Sequence, residues 1–155
     1  MMLNPIVLGV ALYGLTRATD PELALMALLF RVGEGFVVAI NAVLKRALLV
    51  IASRPPGDAL FPSAILGAQG LMPLFGATLF AIGSTLFAWL FVRARSIPLW
   101  LAWLGIASSL LLVVCLPLQI AGLLKGTITN VIWIPAAIYE VTIAVWLLAK
   151  PVTGE

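Results

Sequence analysis

Four segments, about 22–52, 63–91, 99–124 and 128–149, are each longer than 20 residues and dominated by apolar side chains. That run length is what an α-helix needs to cross a hydrocarbon core of about 30 Å. Composition agrees: 63% of the residues are hydrophobic and 10% charged, with a mean hydropathy of +1.19. Soluble domains sit nearer 45–50% apolar with roughly a quarter charged, so a water-soluble monomer is excluded. The expected fold is all-α, a polytopic transmembrane helical bundle forming one domain over 1–155. It has four full spans and a short N-terminal helix at 3–16, with the lipid bilayer as its solvent.

The 3–16 segment is 14 residues long, which is about 21 Å of helix and too short to span alone. It reads as the C-terminal part of a longer helix. An apolar groove is expected beside it, open to a second copy of the chain or to a partner helix. Asp20-Pro21 then starts the next helix, with Asp as N-cap and Pro at the first helical position. Arg54-Pro55-Pro56-Gly57-Asp58 breaks the chain again. The third segment is rich in glycine and alanine, which lets helices approach closely in lipid, and Pro73 predicts a kink in it. Ser96-Ile97-Pro98 is a turn, Lys125-Gly126 ends the fourth segment and Pro151 the fifth. Trp89, Trp100, Trp103, Trp133 and Trp146 lie towards segment ends, as aromatic anchors at the membrane interface do. Arg17, Arg93, Arg95 and Lys150 fall on one side of this topology and Arg54 and Lys125 on the other, so the C-terminus is expected in the cytoplasm.

There is no histidine and one cysteine, Cys115. Histidine-based zinc and haem sites, Ser-His nucleophile pairs and an intrachain disulfide are therefore ruled out. No metal or cofactor is implied. The basic residues are scattered, which makes nucleic acid a poor partner. No Gly-x-Ser-x-Gly turn and no paired intramembrane aspartates occur, so an enzyme is the least favoured reading. Lys45 as a Schiff-base lysine is weaker than Lys45 snorkelling to the interface.

Charges at membrane depth need an explanation, because each costs roughly 2.5–3.5 kcal/mol at a helix centre on insertion scales. Arg31, Glu34, Asn41 and Lys45 fall within an arc of about 80° on one helix, so that face is expected to turn away from lipid. Glu140 in the last segment lies about 15 Å from Lys150, and Arg31 about 14 Å from Glu22, which is nearly the same depth. A facing Arg31–Glu140 pair is expected, with Glu34 as a second acceptor. It reads either as a clamp between two helices or as a site for a proton, ion or small solute.

Several local patterns occur in order: Phe30-Arg31-Val32-Gly33-Glu34, Leu74-Phe75-Gly76, Ser96-Ile97-Pro98 with Leu104-Gly105, Pro135-Ala136-Ala137-Ile138-Tyr139-Glu140, and a final Trp146-Leu147-Leu148-Ala149-Lys150. Over roughly 1–150 the chain resembles the bacterial membrane proteins grouped as domain of unknown function 4386. The resemblance implies a plasma-membrane protein of about six helices with no assigned biochemical activity. It also implies a further helix ahead of the matched region, so this chain would start within the family's second helix. Arg31, Glu34 and Glu140 fall on the shared motifs. Three functions follow as alternatives: a multi-pass protein whose cluster binds or conducts a small solute or ion, a structural or regulatory protein clamped by that cluster, and a membrane-embedded enzyme.

Overall fold

The computed structural model describes residues 3–52 and 60–149. The breaker at 54–58, Lys150 and Pro151 lie outside them. Six helices follow in order: α1 (Leu3–Thr16), α2 (Pro21–Ala52), α3 (Leu60–Ala94), α4 (Leu99–Ile120), the single turn α5 (Ile128–Val131) and α6 (Ile134–Ala149). Four stretches are long and apolar enough to cross a membrane: Pro21–Ile51, Ser63–Ala94, Leu99–Ile120 and Ile128–Trp146. The short helix α1 precedes them. The protein is an all-helical membrane protein, and its exposed leucines, valines and tryptophans require lipid around them.

The start of α2 follows from Asp20. The Leu23 N–H donates to Asp20 Oδ1 at 3.1 Å, and the Ala24 N–H makes the first helical bond to the Asp20 carbonyl at 3.0 Å. Pro21, which has no N–H to leave unbonded, takes the first helical position. Asp20 Oδ2 also accepts from Arg93 Nη1 at 2.7 Å. That bond places the α1–α2 turn and the end of α3 on one face of the bundle. The Leu23 N–H first, and then Arg93, hold the Asp20 carboxyl below its usual range. A group with a lowered folded pKa contributes stability above its unfolded value, about pH 4, and loses it as pH falls through the folded value. Asp20→Asn keeps a capping oxygen and removes the charge. We expect it to melt below the wild type at pH 7 and to converge with it as the pH is taken below 4. Parallel melting curves at both pH values would disprove the charge contribution.

Several boundaries differ from expectation, each for a local reason. The fourth span ends at Ile120, before Leu124. Gly122 adopts a left-handed φ of 74°, the Gly122 N–H bonds the Gln119 carbonyl, and the Leu123 N–H reaches back to the Leu118 carbonyl, both at 2.9 Å. This is a Schellman C-cap, and glycine suits its left-handed position best. The fifth span is divided into α5 and α6 by Pro135, whose missing N–H cannot bond the Val131 carbonyl. The Trp133 N–H instead bonds the Asn130 carbonyl at 3.3 Å. The third span extends past both expected ends and stays helical through Pro73.

In lipid, helix association rests on close packing, since the tails are as apolar as leucine. Helix α3 is central, packing against both α2 and α4, while α1 packs mainly on α2 and also meets α3, and α6 returns to α4. One core joins Ala24 and Ala27 of α2, Phe87, Leu90 and Phe91 of α3, Leu101 and Ala102 of α4, and Tyr139 of α6. A second joins Ala81, Leu112, Leu116, Ile132 and Ala136. The α1–α2 pair and α6 therefore stand as two walls over the same stretch of α3. Thr16, Thr78, Thr85 and Thr142 each bond a carbonyl four residues back, and Ser108 one three residues back, so these hydroxyls serve their own helices.

Candidate functional site: a charged cleft between α2 and α6

Between those walls lies a cleft, formed by two cavities of about 350 and 320 Å³ that share Glu34, Phe80 and Glu140. Phe80 of α3 forms the floor. One half, towards α5, adds Asn41, Met72 and Trp133. The other, towards α1, adds Asn4, Arg31, Ser84 and Tyr139.

Glycines shape the space for Arg31. A Cβ on Gly9 of α1 would stand 2.9 Å from Arg31 Cβ, and one on Gly83 of α3 would stand 3.3 Å from Arg31 Cδ. The Arg31 stem thus threads between two helices that lack side chains at those points, and the residue is only 4% exposed. Its guanidinium lies over the Phe80 ring, 4.9 Å from the centroid, a cation–π contact. Arg31 Nη1 is 2.9 Å from Glu34 Oε2, one turn along the same helix, where i,i+3 side chains are neighbours. The alignment is too poor for a hydrogen bond, and Arg31 Nε, Arg31 Nη1 and Glu34 Oε2 are all buried without a hydrogen-bond partner. Asn41 Oδ1 is in the same condition.

The expected Arg31–Glu140 pair does not form: the ion-pair partner of Arg31 is Glu34. Glu140 lines both halves of the cleft and takes part in no ion pair among the described residues. Equal depth along two helix axes does not fix which way either side chain turns, and a partner three residues away on α2 is nearer than one on a different helix. Lys45 is exposed and lies outside the cleft lining, so of the four-residue stripe the structure brings Arg31, Glu34 and Asn41 together. Among the described residues no three His, Cys, Asp or Glu side chains could jointly hold a metal ion.

The family model described as a domain of unknown function (DUF4386) matches residues 1–150. The chain belongs to that family. No curated protein and no solved structure matches it. In this DUF4386 protein the segments 30–34 and 135–140 face each other across one cleft, the first supplying Arg31 and Glu34 and the second Tyr139 and Glu140.

The sequence assigned no cleft role to Phe80, Ser84 or Tyr139 of this DUF4386 protein, although Tyr139 lies within a shared motif. The usable signal was Gly83, beside Phe80 and Ser84 on α3, since a glycine within a helix often marks a close approach. The tryptophans divide. Trp89, Trp100 and Trp103 are exposed on the outer surface. Trp133 lines the cleft with its ring 6.5 Å from that of Phe80, and Trp146 packs on the first core.

Proposed function

We propose that this DUF4386 protein is a multi-pass protein of the bacterial plasma membrane whose cleft binds or conducts a small solute or ion. The observation that carries this is the uncompensated carboxylate. Arg31 and Glu34 pair with each other, and Glu140 lines the same cleft with no ion-pair partner among the described residues. Glu140 is exposed, and a carboxylate at membrane depth without a partner is costly, so a cation, a proton or a ligand's positive group belongs there. The clamp between α2 and α6 is disfavoured, because the ion pair of Arg31 lies within α2. Nothing in the cleft favours the enzyme reading.

Water access separates a solute site from a dry contact. In a Cys115→Ala background, Glu140→Cys should react with a membrane-impermeant thiol reagent within about tenfold of the rate at Ala121→Cys, a site in the exposed turn after α4. An unreactive thiol at position 140 in a folded protein means a dry, sealed cleft and defeats this reading.

The C-terminus belongs in the cytoplasm on this proposal. Arg17 and Arg93 share the face defined by the Asp20–Arg93 bond, and basic loops stay inside. A phosphatase fused after Glu155 should be inactive and a green fluorescent protein at the same point bright. The opposite pattern reverses the topology.

A further inference from the structure

We infer that the ligand of the cleft is a small zwitterion: a carboxylate or phosphate group a few bonds from an ammonium. Its anionic end sits on Arg31, and its ammonium sits between Glu140, Asn41 and the rings of Phe80 and Trp133. This deepens the solute-site reading and rests on it.

The unmet bonding capacity of the cleft is sorted by sign. In the half towards α1, Arg31 is 4% exposed, and its Nε and Nη1 have no hydrogen-bond partner. Glu34 cancels its charge without using its donors well. Nη1 already faces Glu34, and the unused Nε–H is a charged donor suited to an oxyanion. In the half towards α5, Asn41 Oδ1 is a buried acceptor with no donor, and Trp133 and Phe80 line the cavity with ring centroids 6.5 Å apart. Rings beside a carboxylate make a seat for an ammonium, including a quaternary one. Glu140 borders both halves. A simple cation would leave the Arg31 donors unmet. A simple anion would meet two carboxylates. A dipolar molecule lying along the cleft answers both ends, and cavities of about 350 and 320 Å³ are of the size that small ligands occupy.

Two sources offer this chemistry. One is a free solute such as a betaine or an amino acid. The other is a zwitterionic lipid headgroup, entering from the bilayer between α1 and α6.

The test uses the full chain in a maltoside detergent, which carries no zwitterionic headgroup. The probes are glycine betaine, glycerophosphocholine, choline and acetate, followed by tryptophan fluorescence and calorimetry. At least one of the two zwitterions should bind saturably, at least tenfold more tightly than choline or acetate. The fluorescence change should vanish in Trp133→Phe while the heat of binding persists. Glu140→Gln and Asn41→Leu should each weaken the zwitterion at least tenfold, with melting temperatures near the wild type. Preference for glycerophosphocholine, with competition by phosphatidylcholine in nanodiscs, assigns the lipid source; preference for glycine betaine without that competition assigns the free solute. Choline binding as tightly as both zwitterions, in a manner that depends on Glu140, overturns the zwitterion and leaves the solute site standing. Failure of every probe to bind folded protein also overturns the zwitterion, and an unreactive thiol at position 140 then removes the solute site as well.

Discussion

Gly105→Leu should release α6 from the bundle. A Cβ at Gly105 would lie 2.5 Å from Tyr139 Cζ and 2.6 Å from Tyr139 Cε2, closer than carbon atoms can approach. The Tyr139 ring has little room to yield, because it is 7% exposed and packed within the first core. Helix α6 rests mainly on α4, so a wedge at this point acts on its principal support. The gain in helix propensity on replacing glycine, up to about 1 kcal/mol, opposes the clash. Overpacking typically costs about 1–3 kcal/mol and occasionally more, and leucine adds four carbons against a ring that cannot move away, so the clash wins. Even Gly105→Ala should lower the melting temperature. Gly14→Ala, where a Cβ meets nothing within 4 Å, should be neutral or slightly stabilising. Because Tyr139 adjoins Glu140, the Gly105 variants should also lose whatever binding Glu140 supports. A Gly105→Ala protein that melts like the wild type would show that α4 and α6 do not meet in this way.

Gly105 also marks the boundary between what a sequence states and what only packing decides. The four apolar spans and the Asp20-Pro21 helix start depend on length, composition and local bonding, and these are legible along the chain. The partner of Arg31 is different. Depth along a helix axis follows from counting residues at about 1.5 Å each, and that count puts Arg31 and Glu140 level. Which way each helix is turned depends on where its neighbours can come close. Gly9, Gly83 and Gly105 set those approaches, and a glycine in a sequence does not state which helix it will receive. The polar stripe on α2 is readable as a face, yet Lys45 falls outside the cleft while Asn41 lies within it. The division of the last span has a signal in Pro135, which the apolar run around it obscures, and Gly122 ends α4 ahead of Leu124 by the same kind of local rule.

Arg31→Met should be the most damaging single change at the cleft. Methionine retains an unbranched stem to fill the channel between Gly9 and Gly83, so the loss is mainly of charge. Glu34, whose side chain is 15% exposed, would then be a buried carboxylate with no counter-ion, and Glu140 would lose the positive charge that acts on it through space. Breaking a buried pair from one side costs about 3–5 kcal/mol, enough to unfold a marginal protein. Adding Glu34→Gln should recover much of that loss, because the double variant leaves no orphan on α2. A double-mutant cycle, read by unfolding in mixed micelles, should therefore give an Arg31–Glu34 coupling in the range of about 0.5–3 kcal/mol found for residues in contact. The Arg31–Glu140 cycle should give a smaller value, since those charges act across the cleft without a direct bond. The order of the two couplings carries the decision. If the Glu140 coupling is the larger, the guanidinium bridges α2 to α6, and the cluster becomes an interhelical clamp. If the Glu34 coupling is the larger, α2 neutralises its own arginine and Glu140 is left to meet a positive charge from outside the chain.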